Sequence, residues 1–151
     1  MTMSIRPLVA ADFSGWVPLY EGYCQFYETS SNEAQAKRVW DWLLAEDHPL
    51  EGLVAEGEAG ELLGLAHFYP WHSTLSASTA MYLSDLFVAP AGRGKQVGKA
   101  LYLELFELAE ARGWTALTLL TQESNAVGRS LYDQFGSVTD FRFYVSPVPR
   151  Q

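Results

Sequence analysis

The chain predicts an α/β (α+β) fold built on a mixed sheet, and three observations predict it. Short β-runs alternate with amphipathic helical stretches, two neighbouring β-runs flank a glycine turn as a hairpin does, and the C-terminal half runs strand–helix–strand. The last of these requires at least one parallel pair with a crossover helix. With 151 residues, 48% of them hydrophobic and 19% charged, there is enough apolar material for one core, and no repeat, linker or low-complexity tract divides the chain. A single domain over 1–151 is expected.

The elements follow in order. Ser4–Val9 is strand-like, and Asp12 is a good N-cap for a helix on which Phe13, Trp16, Tyr20, Tyr23 and Tyr27 recur at helical spacing. A second helix fits Asn32 to Ala45, capped by Ser31 or Asn32 and closed by His48-Pro49. Gly52–Glu56 and Leu62–Tyr69, joined by the Gly57–Gly60 turn, read as a hairpin, and Met81–Val88 as a third β-run. Gly94–Ala111 reads as a long helix because Val97, Ala100, Leu101, Leu105 and Leu108 share a face, with Gly113 as its stop. Ala116–Thr121 is then a strand, Asn125–Phe135 a helix ended by Gly136, and Val138–Val145 a last strand.

Several classes are excluded. No run of 18 apolar residues exists and the first residues lack the order of a signal peptide, so a cytoplasmic protein without membrane association is expected. Cys24 is the lone cysteine, and His48, His67 and His72 are scattered, so no metal site is expected. The net charge of −8 disfavours nucleic acid. That charge is segregated: residues 1–92 carry −9 and residues 93–151 carry +1, with Arg93, Lys95 and Lys99 within seven positions. A local basic knot in an acidic chain suits one anionic ligand beside a cationic partner.

The knot lies where a β-run passes through a glycine-containing loop into a helix, and unpaired amides at a helix N-terminus favour phosphate there. Two familiar phosphate loops fail on spacing. For a Walker A loop, Gly94 to Gly98 is one residue short, Gly92 to Gly98 one too long, and Ala100 replaces the hydroxyl residue. For a dinucleotide fingerprint starting at Gly92, the third glycine position is Val97.

A third pattern fits better. Arg93-Gly94-Lys95-Gln96-Val97-Gly98 resembles the Q/R-x-x-G-x-G/A pyrophosphate loop of the GNAT superfamily of acyl-CoA-dependent N-acyltransferases. Tyr82-Leu-Ser-Asp-Leu-Phe-Val88 looks like the family's central strand, and Asn125 with Tyr132 looks like its later helix. Within the superfamily the chain looks most similar to the polyamine and histone-type acetyltransferases. The resemblance implies a mostly antiparallel sheet with a central parallel pair splayed around acyl-CoA, helices on both faces, and acetyl-CoA as co-substrate. Two departures stand out: Gln96 where glycine is usual, and Ser84 where polyamine-type relatives carry a glutamate suited to serve as base.

The function implied is transfer of acetyl from acetyl-CoA to a primary amine, on a small molecule or peptide, by direct attack in a ternary complex. A lysine-like amine is neutral in only about 1 in 2,500 molecules at pH 7, a shortfall worth about 4.6 kcal/mol, so a proton acceptor is needed. Asp85 is the candidate, with Glu28 or Glu123 acting through water as alternatives, since a hydroxyl such as Ser84 cannot serve directly. The resemblance implies that Tyr132 protonates the departing thiolate and that the backbone of Leu86, Phe87 and Val88 pairs with the pantetheine arm. It likewise implies that residues Arg93, Gly94, Lys95, Gln96, Val97, Gly98 and Lys99, with Asn125, hold the cofactor. Tyr27, Ser84 and Asp85 are the expected contacts to the acceptor, and Tyr20, Tyr23, Trp40 and Trp42 are either further pocket walls or core. Ser84 also leaves open a non-catalytic acyl-CoA-binding module. The alternating Thr139–Val145 segment suits pairing with a second copy, so a homodimer is one expectation.

Overall fold

Neighbouring strands in this chain are also neighbours in its sheet. A computed structural model describes residues 2–149 in two units, 2–120 and 121–149. The first unit holds five strands in the order β1 (Ser4–Pro7), β2 (Glu51–Glu56), β3 (Leu62–Ser73), β4 (Ser78–Val88) and β5 (Leu117–Leu119). All pairings are antiparallel except β4–β5, which is parallel. Helices α1 (Phe13–Phe26) and α2 (Glu33–Leu44) form one layer, and α3 (Val97–Ala111) crosses over between β4 and β5.

The two faces of the sheet are distinguished by alternation along β3. Leu65 belongs to one buried cluster with Trp16, Leu19, Tyr20, Trp40 and Leu43, so that face carries α1 and α2. Gly64, one residue earlier, points the other way: a Cβ there would lie 3.1 Å from both Val97 and Leu101 of α3 and 3.0 Å from the Phe87 carbonyl. Helices therefore cover both faces, and the missing side chain at Gly64 lets the first turn of α3 sit close to the end of β4. Gly64→Val is expected to destabilise by about 1–3 kcal/mol through overpacking against backbone. A thermal melt should read this as a fall of roughly 3–10 °C; an unchanged midpoint would mean that α3 is not seated this closely.

Several boundaries differ from expectation for physical reasons. Strand β1 stops at Pro7, and α1 is entered through a 3-10 turn over Ala10–Asp12. Asp12 does not cap α1; its carboxylate accepts from the Val9 amide at 2.8 Å and takes both guanidinium arms of Arg6 at 2.8 and 2.9 Å. Asn32 caps α2 as expected, accepting from the Gln35 amide at 2.8 Å, but the helix ends at Leu44, before His48-Pro49. Strand β3 runs on through Pro70 to Ser73, because its pairing with β2 ends at Phe68 and the proline lies on a stretch paired on one side only.

The expected helix start at Gly94 is also corrected. Gly94 and Gln96 adopt left-handed backbone, with φ of 75° and 65°, so 94–96 stay in the loop and α3 begins at Val97. In the second unit, α4 (Ala126–Tyr132) forms within the expected Asn125–Phe135 but stops three residues short, passing into a turn from Asp133, while 138–145 makes no strand within that unit. A strand needs a ladder partner, and none of the other described residues of 121–149 supplies one.

Candidate active site

Strand β4 carries the site because its pairing changes twice. Its parallel contact with β5 covers only Met81–Leu83, so Ser84–Val88 run on past the end of β5, with Asp85–Val88 still paired to β3. Opposite β3, His67 pairs with Asp85 and Phe68 with Leu83, which leaves Ser84 as the extra residue of a β-bulge. The bulge reverses the alternation: Leu83 lies opposite Phe68, whereas Asp85 and Phe87 lie opposite His67 and Leu65, on the α1 face. Without it, Asp85 would point toward α3.

On that face Asp85 sits at the wall of a cavity of about 460 Å³ whose lining includes Tyr20, Tyr23, Trp42, Tyr69 and Ser84. Asp85 Oδ2 stands 2.7 Å from His67 Nδ1, and His67 Nε2 stands 3.0 Å from Trp16 Nε1. The Tyr23 hydroxyl donates to the Ser84 carbonyl at 3.3 Å. Burial, the largest single effect, pushes the Asp85 carboxyl up, but the His67 hydrogen bond, the charge His67 carries when protonated, and the hydroxyls of Tyr23 and Ser84 together outweigh it and hold the group below the ordinary aspartate value. Asp85 is therefore ionised at neutral pH. Tyr23 shifts the opposite way: burial first, then the Asp85 charge, pushes its phenol far above the ordinary value, so it stays a neutral hydroxyl.

The residues predicted for acceptor contact are only partly brought together. Ser84 and Asp85 line the cavity; Tyr27 does not, packing its ring edge-on against Tyr23 at 5.1 Å. Of the aromatics left open, Tyr20, Tyr23 and Trp42 line it, whereas Trp40 is core, 5.0 Å from Trp16. Tyr69, His67 and Trp16 enter the site without having been expected there. A larger groove of about 850 Å³ lies along α1 by Phe87, Pro90 and Arg93, and it does not include Asp85.

The loop after β4 is shaped by two glycines of opposite character. Gly92 is buried, and a Cβ there would meet the Leu63 carbonyl at 3.1 Å, so it serves packing. Gly94 faces open space and is needed for its left-handed backbone. Gln96, immediately before α3, holds the same backbone at a cost of about 1–2 kcal/mol that glycine would avoid. Beyond it the amides of Val97, Gly98 and Lys99 open the helix without intrahelical acceptors, beside the exposed bases Arg93 and Lys95. A diphosphate fits such a turn. Among the described residues no cluster of His, Cys, Asp and Glu could hold a metal ion, and no helix is long and apolar enough to cross a membrane.

Residues 16–136 match the acetyltransferase (GNAT) family. The chain belongs to it. The uncharacterized N-acetyltransferase YhfO of Bacillus subtilis (strain 168) is 35% identical over 149 residues, covering 97% of this chain and 99% of that protein. D-amino-acid N-acetyltransferase HPA3 of Saccharomyces cerevisiae is 24% identical over 141 residues, 93% of this chain and 88% of its own length. Among solved structures, the ribosomal-protein-alanine N-acetyltransferase of Brucella melitensis biovar Abortus 2308 superposes with a TM-score of 0.80 at 28% identity, covering 98% of this chain and all of that one. This GNAT protein is thus an acyl-CoA-dependent N-acetyltransferase that moves acetyl from acetyl-CoA to an amine, which removes the non-catalytic alternative.

In the second unit of this acetyltransferase, Asn125 is the N-cap of α4: its Oδ1 accepts from the Gly128 amide at 3.2 Å and its Nδ2 donates to Thr121 Oγ1 at 2.9 Å. Those bonds occupy its amide with local structure. Tyr132 is the last residue of α4.

Proposed function

We propose that the protein acetylates a cationic primary amine held in the cavity beside Asp85, by direct attack within a ternary complex. The observation that carries this is the ionised, partly buried carboxylate among Tyr20, Tyr23 and Tyr69. Aromatic faces attract ammonium ions by cation–π contact, and the carboxylate fixes the nitrogen end. The strongly acidic 1–92 segment draws the same kind of molecule.

Acetyl-CoA brings the activated thioester; the chain's own groups do the rest. The first-turn amides of Val97, Gly98 and Lys99, with Arg93, Gly94, Lys95 and Gln96, hold the pyrophosphate, and the β4 edge at Leu86, Phe87 and Val88, left unpaired by β5, receives the pantetheine arm. The neutral fraction of the amine attacks. As its nitrogen gains positive character the N–H becomes acidic, and Asp85 accepts that proton. Tyr132 donates a proton to the departing thiolate. Asn125 contributes by starting α4 and so setting where Tyr132 stands in the chain's last helix.

Acetyl-CoA at a hundred times its dissociation constant should stabilise the protein by about 2.7 kcal/mol, or roughly 5–10 °C in a melt. Thiol release with spermidine, lysine peptides and aminoglycosides then ranks the acceptors. Turnover confined to uncharged nucleophiles would overturn the cationic acceptor.

A further inference from the structure

The hydrogen-bonded chain behind Asp85 holds two residues that the mechanism above does not use. Trp16 and His67 are both 0% exposed, one on α1 and the other on β3. An indole N–H can only donate. His67 Nε2, 3.0 Å from Trp16 Nε1, must therefore be the unprotonated nitrogen, and the ring proton sits on Nδ1, donated to Asp85 Oδ2 at 2.7 Å. Adding a second proton would set the Nε2 hydrogen against the indole hydrogen and leave a buried N–H without an acceptor, which disfavours the imidazolium before any charge is counted.

We infer that Trp16 and His67 are positioning residues for the acetyl transfer: the indole locks His67 in its neutral Nδ1–H form, which orients the Asp85 carboxylate and leaves its negative charge whole. An imidazolium at His67 would have the opposite effect. It would neutralise Asp85, weaken it as a proton acceptor and repel the incoming ammonium. The inference rests on Asp85 being that acceptor.

The other titratable groups around the cluster are of a kind that leaves His67 as the group to watch. From α1 come Tyr20, Tyr23 and Cys24, from β3 Tyr69 and from β4 Tyr82, while the residues that β2 and α2 pack there, Gly52 and Trp40, do not titrate. On burial foremost, Tyr20, Tyr23, Tyr69 and Tyr82 are all pushed above the ordinary phenol value and stay neutral. His48 also lines the cavity, stacked on Trp42 at 5.3 Å with its Nδ1 accepting from the Leu50 amide at 3.1 Å, so it is the histidine that a test must separate from His67.

The test combines ring-nitrogen NMR of the whole protein with pH profiles of kcat/KM, using the fastest amine of the panel above. In the wild type at pH 7, His67 should carry its proton on Nδ1 and none on Nε2. In Trp16→Phe the indole donor is gone and Nε2 is free to take a proton, so kcat/KM at pH 5.5 should fall about tenfold further than in the wild type. The double variant Trp16→Phe/His67→Gln, in which the Gln amide donates to Asp85 and cannot titrate, should lose that extra fall, whereas a contribution from His48 would survive it. A wild-type His67 with a proton on Nε2 at pH 7, or a Trp16→Phe profile that parallels the wild type, would overturn the inference. Should Trp16→Phe not fold, the wild-type tautomer decides alone. Asp85→Asn separates the two levels: full activity there defeats the Asp85 reading itself, while an impaired Asp85→Asn with an unshifted Trp16→Phe defeats only the role of Trp16 and His67.

Discussion

Asp85→Asn is expected to lower kcat/KM for the amine by about 10²–10⁴-fold, the range for losing a positioned proton acceptor. The substitution keeps the shape of the side chain, and the Asn carbonyl can still accept from His67 Nδ1, so the fold and the loop after β4 should be unaffected. What changes is the free end: an amide that cannot take a proton replaces a carboxylate. Acetyl-CoA should therefore raise the melting temperature of this variant as it does that of the wild type, while thiol release with amine collapses. Retained turnover would pass the role to Glu28 or Glu123 acting through water.

The pH dependence gives an independent check on the same group. Because Asp85 is held below the ordinary aspartate value, it is in its accepting form throughout the neutral range, and protonation should remove activity only as pH falls through that lowered value. Between pH 6 and pH 9 the wild-type rate should instead follow the substrate, with log kcat/KM rising about one unit per pH unit as the amine loses its own proton, whose pKa is near 10.4. A wild-type plateau beginning well below pH 9 would show that the enzyme's own groups, not the free amine, limit proton removal.

How much of this was legible in the sequence depends on the distance over which each interaction acts. The aromatic face of α1 and the Gln35–Asn32 cap are local, and residue spacing reveals both. Asp85 was visible as a candidate because it lies within the strand that leads into the loop. Its partners were not. Pairing His67 with Asp85 requires the full register of a hairpin whose strands run on past Pro70, together with a bulge at Ser84 that shifts the face of everything after it. By spacing alone His67 is one of three scattered histidines, of which His72 is exposed and hydrogen-bonded to Thr79. A hairpin register counted from the Ser73–Ser78 pair, with one bulge allowed, would have placed His67 opposite Asp85. The start of α3 was misread for a different reason. Gln is a good helix former, so nothing in its identity announced the left-handed backbone at Gln96, although its place where relatives carry glycine was the available signal. The alternating 138–145 segment shows the limit from the other side, since period-2 patterning describes a strand's faces and says nothing of its ladder partner.

Tyr132→Phe should lower kcat by about a hundredfold while leaving the dissociation constant of acetyl-CoA unchanged. The size follows from the proton's starting and finishing points. An ordinary phenol has a pKa of about 10 and a thiol about 8.5, so passing the proton from Tyr132 to the departing thiolate is uphill by about 2 kcal/mol, and a donor of that kind helps only while charge is building on sulfur. A donor better matched to the thiol would contribute more, and an effect of ten-thousandfold would point to lost positioning of the thioester rather than to proton transfer. The two also differ at high pH. If the phenol must be protonated to act, the wild-type kcat should decline as pH rises through the phenol's own pKa, and that decline should be missing from Tyr132→Phe. Titration calorimetry for acetyl-CoA binding, with single-turnover thiol release from pH 7 to pH 10.5, measures both. Equal kcat in wild type and variant across that range would remove Tyr132 from the chemistry and leave it as the closing residue of α4.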